Sequence, residues 1–259
     1  MGFYIEAPDT SFVADRLKSE TAANISAAVI KEVPYHYSIV DKFFPDDFAK
    51  RLIEDLPSSS SLKTLKDRRG DNVDPDYSDQ RFYLECNTDD EVLEFQGHPV
   101  FREAIGILAS QEVHRAIIRR FSSPLHAVLT EYEIAIARPN VDFILDRTGY
   151  SLKPHTDAPD KLITILVYLG RQPAGVDTAD GLGTSIYKFR DTRSVSLGNV
   201  AMPREYLTEV ERAPYRPNAG VMFARTDYSF HGVEEVAPGS ERVLFQVSLI
   251  LRKIKPRSA

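Results

Sequence analysis

The chain has 259 residues, of which 42% are hydrophobic and 27% charged, and its formal net charge is −6. This composition is ordinary for a globular protein, and the acidic balance excludes the basic surface of a general nucleic-acid-binding protein. The single cysteine, Cys86, excludes an intrachain disulfide and suits a reducing compartment. The first twenty residues lack the pattern of a signal peptide, and no apolar stretch approaches the ~20 residues of a membrane span. We therefore expect one soluble, cytoplasmic domain over residues 1–259, without nucleic-acid or membrane partners; the oligomeric state stays open.

The first 125 residues are predicted to form a mostly helical N-terminal part. Phe48 and Leu52 recur at helical spacing after Pro45, and a longer helix is predicted from Pro99. The longer helix is indicated by an apolar stripe of Phe101, Ile105, Leu108, Val113, Ile117 and Phe121. Between the two helices, residues 58–81 are rich in Ser, Asp, Lys and Arg and have no periodicity. This segment is either a surface loop or a lid over a site, and the pattern slightly favours the surface loop.

From residue 126 to residue 253 the pattern changes to that of short strands. Val128, Tyr132, Ile134 and Ile136 fall on one face at period two, which predicts a strand. The almost wholly apolar run 162–169 predicts a strand that is covered on both faces. Further strands are predicted at 185–189, 220–224, 231–236 and 242–251. Many short strands without intervening helices are typical of an antiparallel sandwich, so we predict a mainly β fold, a jelly-roll core buttressed by the N-terminal helices.

A candidate metal site begins at His155 and Asp157. Residues two apart in an extended segment point the same way, so this imidazole and this carboxylate can converge on one ion. Ordinary surface or core roles are expected for four other histidines, His36, His98, His114 and His126, which leaves His231 as the third candidate ligand. Two histidines and one carboxylate leave three adjacent positions open on an octahedral ion, the facial triad of iron(II) oxygenases.

The segment after His231 is predicted to form a hairpin about Pro238-Gly239. Such a hairpin places Arg242 on the same face as His231, roughly 13 Å away at ~3.3 Å per residue. An extended arginine and a five-carbon diacid, each on the order of 6–7 Å long, would close that gap. A forked guanidinium at this distance suits the far carboxylate of 2-oxoglutarate.

The strand that follows Arg242 is predicted to have two different faces. Leu244, Gln246 and Ser248 share the face of Arg242, whereas Phe245, Val247, Leu249 and Leu251 lie on the other. The apolar face is expected to pack on a second layer or on the helices. Gln246 and Ser248 either line the pocket or are hydrogen-bonded core residues, and the pattern does not separate these two alternatives.

Together these residues resemble the 2-oxoglutarate/iron(II) dioxygenase superfamily, in particular its prolyl-4-hydroxylase-like branch. The pattern of that family is His-x-Asp, then Thr-x-x-x-Tyr-Leu on a strand, then a distal His followed about ten residues later by Arg or Lys. The matching residues, over roughly residues 130–252, are His155, Asp157, Thr164, Tyr168, Leu169, His231 and Arg242. Residues 181–187 also look like the Gly-rich strand of the family. The resemblance implies a double-stranded β-helix core.

The resemblance also implies the cofactors and their binding residues. Fe(II) would be held by the catalytic residues His155, Asp157 and His231. The co-substrate 2-oxoglutarate would be bound by Arg242 and Tyr168, with Thr164 as a further candidate residue. The implied enzyme is a dioxygenase that uses O2, releases succinate and CO2 and hydroxylates its substrate, with desaturation or cyclisation as variants. Asp157 argues against halogenation, because related halogenases have Gly or Ala at this position.

The substrate is expected to be a small polar metabolite, such as an amino acid or its derivative. Arg147 and Lys153 precede the predicted iron ligands and could meet an anionic substrate, or they could be ordinary surface cations. A peptidyl, prolyl-type hydroxylase is the first alternative. The second alternative is a non-catalytic β-sandwich that binds a metal or a small ligand.

Overall fold

The computed structural model describes residues 2–64, 67, 79–86, 97–130, 132–170, 179–191 and 201–256. Its helices are α1 (Asp15–Ala27), α2 (Asp46–Glu54), α3 (Pro99–Ala109), α4 (Gln111–Arg120), α5 (Ser122–Leu129) and the short α6 (Ala179–Leu182). Its strands are β1 (Gly2–Ile5), β2 (Tyr37–Val40), β3 (Lys63–Thr64), β4 (Arg81–Glu85), β5 (Tyr132–Arg147), β6 (Leu152–His155), β7 (Lys161–Tyr168), β8 (Thr184–Phe189), β9 (Leu207–Arg212), β10 (Gly220–Ala224), β11 (His231–Val233) and β12 (Glu241–Pro256).

Two sheets form the centre of the fold. The larger has eight strands in the order β2-β10-β7-β12-β5-β4-β3, with β1 lying parallel to β5. The smaller has the order β6-β11-β8-β9. An apolar cluster joins the two sheets and includes Ile144, Leu244, Ile186 and Val233. The predicted double-stranded β-helix, or jelly-roll, fold is therefore confirmed, and β1 to β4 add strands from the N-terminal part that the sequence pattern did not predict.

The central strands of the large sheet are apolar throughout. Every residue of β10 is buried, and so is every residue of β7 after Lys161. A strand covered on both faces needs such a continuous apolar run, because neither side chain row meets water. The strands predicted at 162–169 and 220–224 are confirmed, the first with a shift of one residue.

The helices cover one face of the large sheet. The ring of Phe101 on α3 lies 5.1 Å from Phe143 of β5 and 5.3 Å from Phe245 of β12. Val247 and Leu249 belong to the same apolar cluster as these rings, which confirms the packing predicted for that face of β12. Because side chains alternate along a strand, the other face of β5 and β12 is directed towards the small sheet.

The single long helix predicted from Pro99 is wrong, because the structure has two helices there. Ser110 separates α3 from α4 with extended backbone angles, φ −70° and ψ 149°, and its hydroxyl accepts a hydrogen bond from the Val113 amide. A serine side chain in this position caps a new helix by satisfying an otherwise unpaired amide. The apolar stripe did not reveal the break, since its members are buried on both helices.

The strand predicted from Val128 is also misplaced at its start. Helix α5 continues to Leu129, and β5 begins at Tyr132 and runs on to Arg147. Most of β5 pairs antiparallel with β12, which extends to Pro256. Long-range pairing with β12 therefore extends β5 through Pro139, a residue that local propensity does not favour inside a strand.

The hairpin predicted between residues 231 and 251 is wrong. β11 pairs with β6 and β8 in the small sheet, whereas β12 pairs with β5 and β7 in the large sheet. Gly239, with φ +77°, does reverse the chain, but the reversal carries it from one sheet to the other. A Pro-Gly signal marks a turn without specifying which strands pair on either side of it.

The predicted loop or lid at 58–81 is described only in part. Residues 59–61 form a 3-10 turn, Lys63–Thr64 is β3, and β4 begins at Arg81. Residues 65–66 and 68–78 lie outside the described residues, so the lid stays a prediction. In the part of the chain that the structure describes, no helix has the length and apolar character needed to cross a membrane.

Candidate active site

The three predicted metal ligands come together in the structure. His155 is the last residue of β6 and His231 the first of β11, and the two residues are direct partners across these antiparallel strands. Asp157 follows two residues after β6. One donor atom from each residue lies within 4.8 Å of the others, and His231 Nε2 is 4.0 Å from Asp157 Oδ2. The sequence prediction that these side chains converge is confirmed.

Both imidazoles are oriented for metal binding. His155 Nδ1 lies 3.0 Å from the Lys153 carbonyl oxygen, and His231 Nδ1 lies 3.0 Å from the Ser229 carbonyl oxygen. A carbonyl can only accept, so each Nδ1 carries the proton and each Nε2 keeps its lone pair. Donor atoms about 2.0–2.2 Å from one ion lie about 3–4 Å from each other, so small side-chain shifts would complete the coordination of an ion.

The charge states of the triad also fit a divalent cation. Burial and the neighbouring His231 lower the pKa of His155 to about 3. Burial likewise lowers the pKa of His231. Burial alone would raise the pKa of Asp157, but Lys161 and the two histidines outweigh it and hold that pKa below its usual value. At neutral pH the site therefore offers two neutral imidazoles and a carboxylate, the forms that bind a metal.

Two side chains of β7 hold the Asp157 carboxylate in place. The Thr164 hydroxyl donates to Asp157 Oδ2 at 2.6 Å, and Lys161 Nζ donates to Oδ1 at 2.9 Å. Each carboxylate oxygen can accept more than one bond, so a lone pair remains for a metal. The structure thus gives Thr164 a contact with the predicted metal ligand Asp157, while its contact with 2-oxoglutarate stays a prediction.

Arg242 lies at the other end of the same cavity and is 1% exposed. Its Nε donates to the Leu182 carbonyl at 2.7 Å, its Nη1 to Asp146 at 2.7 Å and its Nη2 to the Thr184 hydroxyl at 3.1 Å. Thr184 of β8 pairs with Val233, which lies two residues after His231 on β11. Two residues at ~3.3 Å each span about 7 Å, so the Arg242 guanidinium lies about 7 Å from His231, measured along the strand direction.

Tyr168 is fully buried beside Arg242, but its hydroxyl is directed elsewhere. The Arg242 guanidinium carbon lies 5.5 Å from the centre of the Tyr168 ring. The Tyr168 hydroxyl donates to the Thr184 hydroxyl at 2.9 Å and accepts from the Thr184 amide at 3.0 Å. Tyr168 is not among the residues that line the cavity, whereas Thr184 is. The contact of Tyr168 with 2-oxoglutarate stays a prediction, and the observed role of Tyr168 is to orient Thr184.

The cavity that holds these groups has a volume of about 340 Å³. Its floor is the large sheet, where the strand registers align the side chains in rows that cross β4, β5, β12 and β7. One row contains Glu85, Asp142 and Gln246, and the next contains Asn140, Ser248 and Thr164. All six residues line the cavity, so of the two alternatives left open for Gln246 and Ser248 the structure has the pocket position.

Sequence reasoning missed two buried charged residues next to Arg242, which are Arg81 and Asp146. Asp146 is fully buried and accepts hydrogen bonds from both Arg81 and Arg242. A sequence signal for Asp146 does exist, because Asn140, Asp142 and Asp146 fall on one face of β5 at period two. Polar residues at alternate positions of an otherwise apolar strand indicate a polar cavity rather than solvent when that strand is central.

Two of the remaining histidines and the cysteine do not line the cavity. His114 is buried on α4 and bonds the Leu108 carbonyl at 2.7 Å, and His98 precedes α3, where its Nδ1 lies 3.0 Å from the Asp55 carbonyl oxygen. Cys86 is a buried thiol whose Sγ lies 3.5 Å from the Leu84 carbonyl oxygen. Arg147 stacks on Phe82, with 4.5 Å between the guanidinium carbon and the ring centre, and does not line the cavity.

No protein-family model and no curated protein matches this chain. Solved structures do resemble it. A prolyl 4-hydroxylase from Phytophthora capsici aligns with a TM-score of 0.54 and 16% identity, covering 93% of this chain and 67% of that chain. The chain has the prolyl 4-hydroxylase fold. The double-stranded β-helix fold that the sequence resemblance implied is thereby confirmed.

Two further solved structures align less closely. A prolyl-4-hydroxylase from Pseudomonas putida has a TM-score of 0.48 and 15% identity, over 90% of this chain and 100% of that chain. HygX from Streptomyces hygroscopicus, solved with nickel, 2-oxoglutarate and hygromycin B, has a TM-score of 0.44 and 12% identity, over 86% of this chain and 85% of that chain. The assignment of the prolyl 4-hydroxylase fold rests on the Phytophthora alignment, whose TM-score is the highest of the three.

Proposed function

We propose that this protein is an Fe(II)- and 2-oxoglutarate-dependent oxygenase that hydroxylates a small polar molecule, such as an amino acid or its derivative. The observation that carries the proposal is the shared cavity. His155, Asp157 and His231 lie at one part of it, and the buried Arg242 reaches it from the other sheet. A metal-binding triad and a guanidinium about one diacid length apart are what this class of enzyme requires. The prolyl 4-hydroxylase fold is consistent with the proposal.

The three ligands of the triad would hold Fe(II) and leave adjacent coordination positions for 2-oxoglutarate and O2. Bound together, iron, 2-oxoglutarate and O2 supply the oxidising power for hydroxylation, with release of succinate and CO2. The residues of the chain supply binding and orientation. Thr164 and Lys161 fix the carboxylate of Asp157, and Arg242 keeps N–H groups for the distal carboxylate of the co-substrate.

A small polar substrate is supported by the size and lining of the cavity. About 340 Å³ is near the lower end of the volumes found for small-molecule sites, and the co-substrate would occupy part of it. The floor of the cavity carries hydrogen-bonding side chains from β4, β5 and β12, among them Asn140 and Gln246. A second candidate function is peptidyl prolyl hydroxylation, which the prolyl 4-hydroxylase fold favours.

The first experiment tests the metal and co-substrate site. Anaerobic addition of Fe(II) and 2-oxoglutarate is expected to give a weak visible charge-transfer band, which Asp157→Ala should abolish. Asp160→Ala is the matched control, because Asp160 is an exposed residue three positions later. Arg242→Ala should weaken 2-oxoglutarate binding far more than metal binding, because the guanidinium is distant from the triad. A wild-type protein without a band and without succinate release under O2 would instead be a non-catalytic binding protein.

The second experiment tests the substrate class. Succinate release is measured with a panel of amino acids, amino-acid derivatives and short proline-containing peptides. A small metabolite that stimulates succinate release and gains one oxygen atom supports the proposed function. Stimulation by the peptides alone would establish the second candidate function and refute the small-molecule substrate.

A further inference from the structure

Two arginines share one aspartate at the co-substrate end of the cavity. Arg81 of β4, Asp146 of β5 and Arg242 of β12 are neighbours in register across three adjacent strands. Arg81 donates from Nε to Asp146 Oδ1 at 2.5 Å and from Nη2 to Oδ2 at 2.8 Å. Arg242 Nη1 donates to the same Oδ2 at 2.7 Å. The two donor nitrogens on Oδ2 therefore lie at most about 5.5 Å apart, the sum of the two bonds.

This group carries one positive charge more than it carries negative charge. The side chains of Arg81, Asp146 and Arg242 are 7%, 0% and 1% exposed, so water does not solvate them well. An uncompensated buried charge is costly, and a fold that retains one usually supplies a partner or a ligand for it. An anionic group in the cavity would complete the charge balance.

The donors of Arg81 are not exhausted by Asp146. Among the described residues, none accepts a hydrogen bond from its Nη1, and Arg81 lines the cavity. The guanidinium plane is held by Tyr150, whose ring centre lies 4.2 Å from the guanidinium carbon. A guanidinium that is fixed by a bidentate pair and an aromatic stack is pre-organised to bind a second carboxylate.

We propose that Arg81 is a second binding residue for the distal carboxylate of 2-oxoglutarate, beside Arg242. Asp146 is the positioning residue that holds both guanidiniums at the correct separation. The inference rests on the proposed function and adds a residue to it. It also links the co-substrate to β4, whose Tyr83 and Glu85 line the same cavity.

The test compares two ligands that differ only at the far end. 2-Oxopentanoate has the keto acid and the chain length of 2-oxoglutarate but lacks the distal carboxylate. Dissociation constants for both are measured by calorimetry on protein loaded with Mn(II), so the readout does not depend on turnover. Arg81→Met is expected to weaken 2-oxoglutarate binding about tenfold or more, the size of one charge-assisted hydrogen bond, ~1.4 kcal/mol. Binding of 2-oxopentanoate should stay within about twofold.

An equal loss for the two ligands, or no loss for either, would overturn the proposal and leave Arg81 as a structural residue of β4. Arg147→Met is the matched control, because Arg147 follows Asp146 on β5 but stacks on Phe82 outside the cavity. It should change neither constant.

The proposed function has a separate readout, because Arg242→Met must show a selective loss of 2-oxoglutarate binding whatever Arg81 does. Arg81→Met should fold, since Asp146 would still pair with Arg242. If it does not fold, Arg81→Lys decides the question, because lysine keeps the charge but not the fork. A selective loss of 2-oxoglutarate binding in that variant supports the proposal, and unchanged binding of both ligands overturns it.

Discussion

Asp146→Asn hardly changes the shape of the side chain, yet it is expected to lower the free energy of unfolding strongly. The carboxylate is fully buried and accepts hydrogen bonds at 2.5, 2.8 and 2.7 Å from two guanidiniums. Asparagine keeps the volume of the side chain but removes its charge and replaces one acceptor by a donor. Two cations would then lie together in the interior without an anion between them.

The expected cost follows from the burial of all three partners. Breaking a buried ion pair by removing one partner costs about 3–5 kcal/mol, because the remaining charge is left uncompensated. The exposed fractions of 7%, 0% and 1% leave little reason to discount this range for solvent screening. At about 2–4 °C per kcal/mol for a chain of this size, the melting temperature should fall by about 6–20 °C.

The assay is urea unfolding followed by circular dichroism, with the free energy of unfolding taken by linear extrapolation. Asp160→Asn is the control, since this exposed carboxylate is expected to change stability by less than about 0.5 kcal/mol. The double variant Arg81→Met with Asp146→Asn removes one of the two unpaired cations. Its loss should therefore be smaller than that of Asp146→Asn alone.

Either of two results would show that the uncompensated guanidiniums do not destabilise the protein as expected. One is a loss below about 1 kcal/mol for Asp146→Asn, which would mean that water or a mobile ion solvates the guanidiniums. The other is a double variant whose loss equals or exceeds that of Asp146→Asn alone, since the charge argument requires the second substitution to be compensating.

Three further outcomes are expected. Thr164→Val removes the hydrogen bond to Asp157 and should weaken Mn(II) binding about 10- to 100-fold. Unchanged metal affinity, with a loss of 2-oxoglutarate binding at saturating metal, would instead support the predicted contact of Thr164 with the co-substrate. Gly183→Ala should destabilise the protein, because the added Cβ would lie 1.7 Å from the Ala213 carbonyl oxygen. It should also weaken 2-oxoglutarate binding, because the residues on either side of it accept hydrogen bonds from Arg242, the proposed binding residue. Gly181→Ala should have neither effect, because, apart from its chain neighbours, no described residue has an atom within 4 Å of the added Cβ. Burial lowers the pKa of His114 to about 4, from 6.5 in the unfolded chain. As the pH falls from 6.5 towards 4, the unfolded chain therefore binds a proton that the folded protein does not, and the free energy of unfolding decreases. Between pH 7 and 5 the wild type should therefore lose ~2 kcal/mol more than His114→Gln in urea unfolding, and equal losses in the two proteins would contradict this reasoning.

The convergence of His155 with Asp157 could be predicted because its information is local. His155 and Asp157 are two residues apart on an extended segment, so their convergence follows from strand geometry alone. The face of Gln246 and Ser248 follows from the same alternation, and the structure confirms it. Periodicity also predicted the central strands, because a strand buried on both sides must be apolar along its whole length.

The position of Arg242 in the cavity was predicted, but through a wrong intermediate. The sequence placed Arg242 on the face of His231, roughly 13 Å away across a hairpin at ~3.3 Å per residue, but these residues belong to different sheets. They approach each other because the two sheets pack together and enclose one cavity. Turn chemistry is local, whereas strand pairing is set by the packing of whole faces, so the turn alone could not reveal the partner of β11.

By itself, the sequence determined the class of the fold, the convergence of His155 with Asp157 and the faces of the strands, since each depends on residue type and spacing. Only the tertiary structure decided which charges share the interior. Arg81 and Asp146 are 65 residues apart, and Asp146 and Arg242 are 96 residues apart. Strand order makes these residues neighbours, and the low dielectric of the interior then makes their pairing matter. For that reason the sequence predicted Arg242 alone, and only the structure places Arg81 beside it in the cavity.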